Sequence, residues 1–245
     1  MKMLSALAAV AILPACLLAA VPESFETDVL PTSQGDLRLT FIGHGTLMFQ
    51  WNGKTIHVDP VSRYADYARL PKADVILVTH EHGDHLDKEA IEKITTPATA
   101  LLATQVCCDQ LGAGQVMRNG DVRRVAGLSV RAVPAYNIVH MRSPGKAYHP
   151  KGEGNGYVIA FGDRNVYVAG DTENIPEMAK LKNIDVAFLP MNLPYTMTPE
   201  MVASAAKVIR PKILYPYHFG DTDTSRLVEL LNGVPEIEVR VRKLE

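Results

Sequence analysis

The stretch that decides the fold runs from Asp74 to His85 and reads DVILVT followed by HEHGDH. Its first half is a continuous apolar and β-branched run, which is typical of a buried central strand. Its second half places three imidazoles and two carboxylates in one short loop. Because α/β proteins place their sites at the sheet edge where strands end, we expect this loop to form a functional site.

The residue types in this loop indicate a metal site. Neutral imidazole and carboxylate are the usual ligands of zinc or another borderline divalent metal. We expect His80 and His82, two apart in this loop, to curl round one ion. Asp84 and His85 then turn the other way, so the pattern predicts two metal positions side by side.

The ordered set His80, His82, Asp84 and His85 resembles the His-x-His-x-Asp-His signature of the metallo-β-lactamase superfamily. This resemblance implies an α/β fold in four layers, the αβ/βα sandwich of that superfamily. It extends over roughly residues 37 to 223. Segments 185–190, 195–197 and 212–218 look like the ascorbate-phosphate lactonase branch rather than true β-lactamases.

Further ligands are implied by the same resemblance. Asp171 and His218 each follow a predicted strand, and they match the superfamily's metal-bridging aspartate and last histidine. Relatives often place a histidine directly after Pro-Ala-aromatic, but this chain has Asn137 there. We favour His149 as the sixth ligand because a metal ligand should be fixed near a rigid strand, and His140 is the alternative.

These residues together predict a binuclear centre. One divalent ion would be held by His80, His82 and His149 and the other by Asp84, His85 and His218, with Asp171 and a hydroxide bridging them. Zinc is expected, although the same ligand types also bind manganese and iron.

The predicted activity is hydrolysis of an ester-like bond, a lactone or a phosphoester, in a small molecule, with Asp84 taking part in catalysis. An iron-dependent oxidoreductase of the same fold and a non-catalytic metal-binding or sensing module are the alternatives. Tyr195 is a candidate substrate contact, and Arg142, Lys146 and Lys151 would suit a phosphate or carboxylate. His44 lies in a glycine turn that resembles a motif near the site in relatives.

Strands and helices alternate along the rest of the chain without an interior linker or a repeat. The pattern predicts strands at 37–42, 46–51, 54–58, 74–79, 99–104, 122–125, 128–133, 156–161, 165–169, 185–189, 212–217 and 236–242. It predicts helices at 87–94, 175–182, 199–209 and 225–231. A Pro-bearing linker is expected before residue 37, and a long functional loop between 138 and 155.

Composition is that of an ordinary globular protein, with 47% hydrophobic and 21% charged residues in 245. The formal net charge of -2 shows no excess of the positive charge that nucleic-acid-binding proteins carry. We therefore expect a small-molecule substrate and no nucleic-acid partner. Cys107 and Cys108 are adjacent in sequence, and adjacent cysteines rarely bridge each other, so both are expected to be packed residues.

Residues 1–20 are predicted to be a signal peptide, because Lys2 precedes a short apolar run that ends in small residues. Residues 13–16 also resemble a bacterial lipobox in which Cys16 would be lipidated, although Pro14 is unusual there. We therefore expect a single metallo-hydrolase domain over 37–245 that is exported and is periplasmic or lipid-anchored in the cell envelope. Membrane contact would be limited to that N-terminal anchor.

Overall fold

The computed structural model describes residues 25–244 and contains two seven-stranded sheets. The first sheet has its strands in chain order: β1 (Glu26–Thr32), β2 (Gly35–Gly43), β3 (Thr46–Trp51), β4 (Lys54–Val58), β5 (Val75–Leu77), β6 (Ala100–Ala103) and β7 (Gln115–Val116). Pairing is antiparallel from β1 to β4 and parallel from β4 to β7.

The second sheet is built from the other half of the chain. The strands of this half are β8 (Val122–Val125), β9 (Leu128–Ala135), the separate hairpin of β10 (Met141–Ser143) and β11 (Lys146–Ala147), β12 (Gly154–Phe161), β13 (Arg164–Val168), β14 (Val186–Pro190), β15 (Ile213–Tyr217) and β16 (Glu238–Val239). The hairpin stands outside the sheet, whose order is β8, β9, β12, β13, β14, β15, β16. Its last four strands are parallel.

Helices cover the outer faces of both sheets. They are α1 (Lys88–Ile94), α2 (Gln105–Leu111), α3 (Pro199–Ile209), α4 (Ser225–Leu231) and a 3-10 helix (Pro176–Lys180). Ile91 of α1 packs in one apolar cluster with Ile76 of β5, on the outer face of the first sheet. The inner faces meet in aromatic contacts, such as Phe49 against Phe188 with ring centroids 5.8 Å apart. The predicted four-layer αβ/βα sandwich is confirmed.

Several predicted elements need correction. Residues 26–32 are not a linker but β1, which pairs along its whole length with β2. Residues 175–182 contain only the short 3-10 helix, and the strand predicted over 236–242 is reduced to β16. The loop between 138 and 155 contains the β10–β11 hairpin, and α2 was not expected.

Two predictions on the N-terminal segment, the signal peptide at 1–20 and lipidation at Cys16, lie outside the described residues. Among residues 25–244, no helix is long and apolar enough to cross a membrane. Cys107 and Cys108 are both free and buried, as the packed-residue interpretation predicts.

Candidate metal centre

The centre forms at the edge where strands of both sheets end. Loops after β4 and β5 bring Asp59 and the segment 80–85 from the first sheet, and loops after β13 and β15 bring Asp171 and His218 from the second. Parallel neighbouring strands end at the same edge, which is why ligands far apart in sequence meet here.

Backbone turns at this edge adopt conformations that side chains rarely tolerate. Gly170 has φ +66°, and a Cβ there would lie 2.7 Å from the carbonyl oxygen of Asn155, so only glycine fits before Asp171. His44, Asp59 and His218 also have positive φ, between 46° and 51°. Strain of this kind persists where the surrounding structure fixes it, and it collects at functional sites.

One group of donors is made by His80, His82 and His149. His82 Nδ1 lies 3.1 Å from His80 Nε2 and 3.2 Å from His149 Nε2. Asp171 Oδ2 lies 3.3 Å from His149 Nε2 and 3.9 Å from His80 Nε2. These four potential metal-ligand atoms therefore point toward a common position.

A second group adjoins the first. Asp84 Oδ2 lies 3.4 Å from His218 Nε2 and 3.8 Å from His85 Nε2. Asp171 contacts both histidines at 3.4 Å, through Oδ1 to His85 and Oδ2 to His218. The carboxylate of Asp171 thus stands between the two groups.

The donor set fits divalent metal ions. His nitrogen binds zinc at about 2.0–2.1 Å, so tetrahedral ligands of one ion lie about 3.3 Å apart, close to the separations found here. Several of these buried polar atoms have no hydrogen-bond partner: His85 Nε2, Asp171 Oδ1 and His218 Nε2. Buried polar atoms without partners are rare in folded proteins, and a shared cation would satisfy them.

The ligands of the first sheet are oriented by a buried polar chain behind them. Asp59 accepts hydrogen bonds from the Thr79 backbone N–H at 2.7 Å and from the Thr79 hydroxyl at 2.7 Å. It also lies 2.8 Å from His85 Nδ1, and Thr79 Oγ1 lies 3.0 Å from His80 Nδ1. With each Nδ1 occupied, both rings turn Nε2 toward the centre, the usual arrangement behind metal-binding histidines.

His149 is oriented by Asn137, and Asn137 by Glu173. Asn137 Oδ1 accepts from the His149 backbone N–H at 2.8 Å and lies 2.7 Å from His149 Nδ1. Asn137 Nδ2 donates to Glu173 Oε1 at 3.1 Å and to the Tyr195 carbonyl at 2.8 Å. All four hydrogen-bonding positions of this buried amide are used.

Electrostatics in the cluster favour negative carboxylates. Burial alone would raise the pKa of Asp171, but the adjacent histidines, His218 and His85 first, hold the pKa well below its usual range. Burial likewise acts against the charged form of His85, yet Asp171 and Asp59 raise its pKa to about 9. The negative charge of Asp171 and Asp59 that raises this pKa would also attract a divalent cation, whose binding displaces the proton.

His44 lies at the edge of the second group. Its Nε2 is 3.3 Å from Asp84 Oδ2, and its ring centroid is 3.7 Å from that of His218. Burial lowers the pKa of His44, and the hydrogen bond with Asp84 raises it. Burial has the larger effect, so the pKa is lowered overall. Neighbouring Gly45 has no room for a side chain, since a Cβ would lie 2.7 Å from His85 Cε1.

The structure places other candidate residues away from the donors. His140 Nδ1 pairs with Glu173 at 2.9 Å, so His149 and not His140 joins the cluster. Lys151 forms an ion pair with Glu177 at 2.7 Å. Tyr195 is exposed, with its ring against Tyr148 at 5.1 Å between centroids.

Asp59, Asn137 and Glu173 are the functional residues for which the sequence suggested no role. The signal for Asp59 was present, because it ends a strand at the same sheet edge as the ligand loop. Asn137 follows the Pro-Ala-aromatic pattern, but no local pattern shows what Asn137 or Glu173 contacts, because their partners lie more than ten residues away in the chain.

Comparison with known proteins is consistent with this geometry. Residues 38–218 match the family model described as a β-lactamase superfamily domain. The UPF0173 metal-dependent hydrolase of Methanopyrus kandleri is 32% identical over 196 residues, which are 75% of this chain and 84% of that protein.

Solved structures show the same likeness. A Parabacteroides distasonis protein assigned to the metal-dependent hydrolases is 48% identical with a TM-score of 0.86, over 90% of this chain and 100% of that chain. The metallo hydrolase Igni18 of Ignicoccus hospitalis is 24% identical with a TM-score of 0.68, over 85% of this chain and 95% of that chain. The second likeness concerns the fold alone.

Proposed function

The chain belongs to the β-lactamase superfamily domain family and to the UPF0173 metal-dependent hydrolases, and from this premise we propose that it hydrolyses an ester-like bond, a lactone or a phosphoester, in a small molecule. Membership makes it a metal-dependent hydrolase. The type of bond that is cleaved, the identity of the metal and the roles of individual residues are what we propose.

The observation that carries the proposal is the pair of donor groups that share Asp171. We assign His80, His82 and His149 to one divalent ion and Asp84, His85 and His218 to the other, with zinc as the expected metal. Such ions polarise a carbonyl or phosphoryl oxygen and lower the pKa of bound water to about 7.

The side chains of this protein supply position and charge around that chemistry. Asp84 is partly exposed, at 39% of its side chain, so it stands between the buried donors and solvent. Burial would raise its pKa, but His218 and His44 hold the pKa well below the usual range. Asp84 therefore stays ionised and can accept a hydrogen bond from the attacking water. This hydrogen bond orients the water.

An ester-like bond suits the charge state of these groups. An amide nitrogen leaves only after it gains a proton, and that step needs a general acid whose pKa lies near the working pH. Asp84 and Asp171 both have a pKa far below neutrality, so neither supplies such a proton. An alcohol or phosphate oxygen is a better leaving group and requires less help.

Within ester-like bonds, resemblance to the lactonase branch favours a lactone, and the paired donor groups serve a phosphoester as well.

Tyr195 is the proposed substrate contact, with its phenol donating to the developing oxyanion. A contact of this kind contributes roughly 10²-fold or more to the rate. Tyr195→Phe should then lower kcat on the preferred substrate, and an unchanged kcat would leave Tyr195 as a packing residue.

The test is a substrate screen with a paired variant. Purified protein is assayed on lactones, phosphodiesters, β-lactams and acyl amides beside Asp84→Ala and the control Asp36→Ala, which removes an exposed aspartate of β2. We expect hydrolysis of one ester-like class that falls by at least about 10²-fold in Asp84→Ala and is unchanged in Asp36→Ala. Equal hydrolysis by all three proteins would refute the proposal.

We also propose that the protein is exported and works in the cell envelope, either free in the periplasm or anchored by a lipid on Cys16. The support is the charge and apolar pattern of residues 1–20. Cell fractionation distinguishes the two forms. If the protein is anchored by a lipid, Cys16→Ser should release it from the membrane fraction. Unprocessed protein in the cytoplasm would contradict both forms.

A further inference from the structure

Large apolar side chains are exposed on two loops beside the metal centre. Val139 is 68% exposed, and Ile138, Met141, Leu193 and Tyr195 are exposed to a lesser degree. Every other exposed large hydrophobic residue among residues 25–244 is a valine. A concentration of bulkier apolar groups on a soluble protein marks a place where something binds.

These loops are fixed, so the exposure does not come from loose packing. The Glu173 carboxylate accepts the backbone N–H groups of Ile138, Val139 and His140 at 2.7–2.8 Å. The second loop is closed by the Asn192 backbone N–H, which donates to Thr196 Oγ1 at 2.8 Å. In both loops these backbone N–H groups are hydrogen-bonded, while the large apolar side chains face solvent.

Two tyrosines connect the exposed surface to the metal centre. Tyr148 lines the same recess as His80, His82 and His149. The ring of Tyr195 meets that of Tyr148 edge to face, with 5.1 Å between centroids. Met141 pairs with Ala147 in the β10–β11 hairpin, directly before Tyr148 in the chain. We call Val139, Met141, Tyr148, Leu193 and Tyr195 the apolar rim.

Arg142 adds a positive charge to the apolar rim. The Arg142 guanidinium lies 5.8 Å from the centroid of the Tyr148 ring. Within residues 25–244 it has no carboxylate partner, unlike Lys151, which Glu177 neutralises. An unpaired guanidinium over an aromatic face can bind a carboxylate, sulfonate or phosphate while the ring contacts an apolar group.

We propose that the apolar rim and Arg142 form a subsite for an amphiphilic substrate. The ester-like bond of that substrate lies at the metal centre, its acyl chain or aromatic ring lies on the rim, and its anionic group reaches Arg142. A phosphorylated sugar lactone, with hydroxyls on every face, would leave the rim in water. The inference rests on the proposed hydrolase function and narrows its substrate class.

The occupant is a substrate rather than a second copy of the chain because the rim continues into the recess of the donor histidines through Tyr148. A methylene group fully removed from water contributes about fourfold to binding. A substrate that lies on the rim should therefore be turned over with increasing kcat/KM as its acyl chain lengthens.

The kinetic test compares acyl-chain lengths on ester and lactone substrates that differ only there. For the wild type we expect kcat/KM to rise at least about tenfold from a two-carbon to an eight-carbon chain. Tyr195→Ser and Val139→Ser should each reduce that ratio. The matched control is Val208→Ser, which removes an exposed valine of α3 outside the rim and should leave the ratio unchanged.

A binding test works even when no synthetic ester is turned over. Anilinonaphthalenesulfonate is an aromatic anion whose fluorescence rises in apolar surroundings, and decanoate should displace it more effectively than acetate. We expect the double variant Val139→Ser, Tyr195→Ser to weaken probe binding about tenfold, and Arg142→Gln to weaken it several-fold. Near-ultraviolet circular dichroism would show that these variants remain folded.

The outcomes separate this inference from the proposed function. Suppose that Asp84→Ala abolishes hydrolysis, but kcat/KM does not depend on chain length and the rim variants bind the probe as the wild type does. The subsite would then be refuted while the proposed function stands. Hydrolysis that does not depend on Asp84 would refute the proposed function. A wild-type dimer that Val139→Ser converts to a monomer would assign the rim to contact between copies and overturn the inference.

Discussion

At the scale of single residues, Asn137 shows how a side chain that cannot bind the metal well still shapes the centre. Its amide oxygen takes both hydrogen bonds from His149, and its nitrogen joins Glu173 to the Tyr195 loop. Because His149 Nδ1 is occupied, Nε2 is the atom left to face the donors. The ligand and the substrate-side loop are thus held by one residue.

Asn137→Ala should therefore weaken metal binding. Residues that orient metal ligands from behind typically contribute 10–100-fold to metal affinity, and we expect a loss in that range. Competition against a chromophoric chelator measures it directly. The control is Asn165→Ala, whose amide donates only to a surface turn at Asn183. An affinity equal to that of the wild type in Asn137→Ala would show that His149 is positioned by the backbone alone.

Three of the proposed ligands were predictable because each comes shortly after a strand. His80, Asp171 and His218 come just after apolar runs, so the sequence places them at one edge before any contact is known. Asn137 and Glu173 could not be found in this way. Their roles come from hydrogen bonds between segments that only the folded chain brings together.

At the scale of elements, strands and helices with local end signals were predicted at their observed bounds. β3 and β4 are joined by Asn52 and Gly53, both at positive φ, which is the two-residue hairpin that this dipeptide favours. Helix α3 begins at Pro199 after the Thr198 cap, whose hydroxyl accepts the Met201 N–H. Local chemistry alone defines these boundaries.

β1 was missed because some of the contacts that hold it come from the other end of the chain. Asp28 accepts hydrogen bonds from Arg242 Nη2 at 2.8 Å and Nε at 3.1 Å, and a further one from Arg240 at 3.3 Å. Pro31 and the polar residues around it read as a linker when no partner is known.

Within β4, His57 makes the fold sensitive to acid. Its Nε2 donates to the Pro71 carbonyl at 3.0 Å, and complete burial lowers its pKa to about 4. An unfolded histidine has a pKa of about 6.5, so between these two values the unfolded chain binds a proton that the folded chain does not. The free energy of unfolding therefore falls as the pH decreases through this interval.

We expect the wild type to lose about 2 kcal/mol more than His57→Gln when the pH falls from about 7.5 to about 5. Urea unfolding of both proteins at the two pH values measures this difference, and acid effects on all other histidines cancel in it. Parallel pH dependence of the two proteins would contradict the assignment of this sensitivity to His57.

At the scale of the whole molecule, the donors come from both halves of the sandwich. Segment 80–85 follows β5 of the first sheet, whereas Asp171 and His218 follow β13 and β15 of the second. Direct contacts between the halves exist near the site, such as the Tyr157 hydroxyl donating to the Val78 carbonyl at 2.8 Å. A cation shared by donors from both halves would add a further link between the sheets.

Metal removal should consequently destabilise the entire domain rather than one loop. A ligand that binds only the folded state stabilises it by about 4 kcal/mol at a free concentration 1,000 times its Kd. For a domain of this size 1 kcal/mol corresponds to roughly 2–4 °C, so chelation should lower Tm by about 8–16 °C. Calorimetry with and without chelator, followed by return of zinc, manganese or iron, measures the shift and ranks the metals.

The matched variants for this measurement are Asp171→Ala, which removes the carboxylate between the two donor groups, and Asp36→Ala, which leaves them intact. The chelation shift should shrink in Asp171→Ala because the cation then loses a donor from the second sheet, and it should persist in Asp36→Ala. A shift of equal size in both variants would mean that the stabilising metal binds elsewhere. No shift in the wild type would mean that the two halves are held together by their packed core alone.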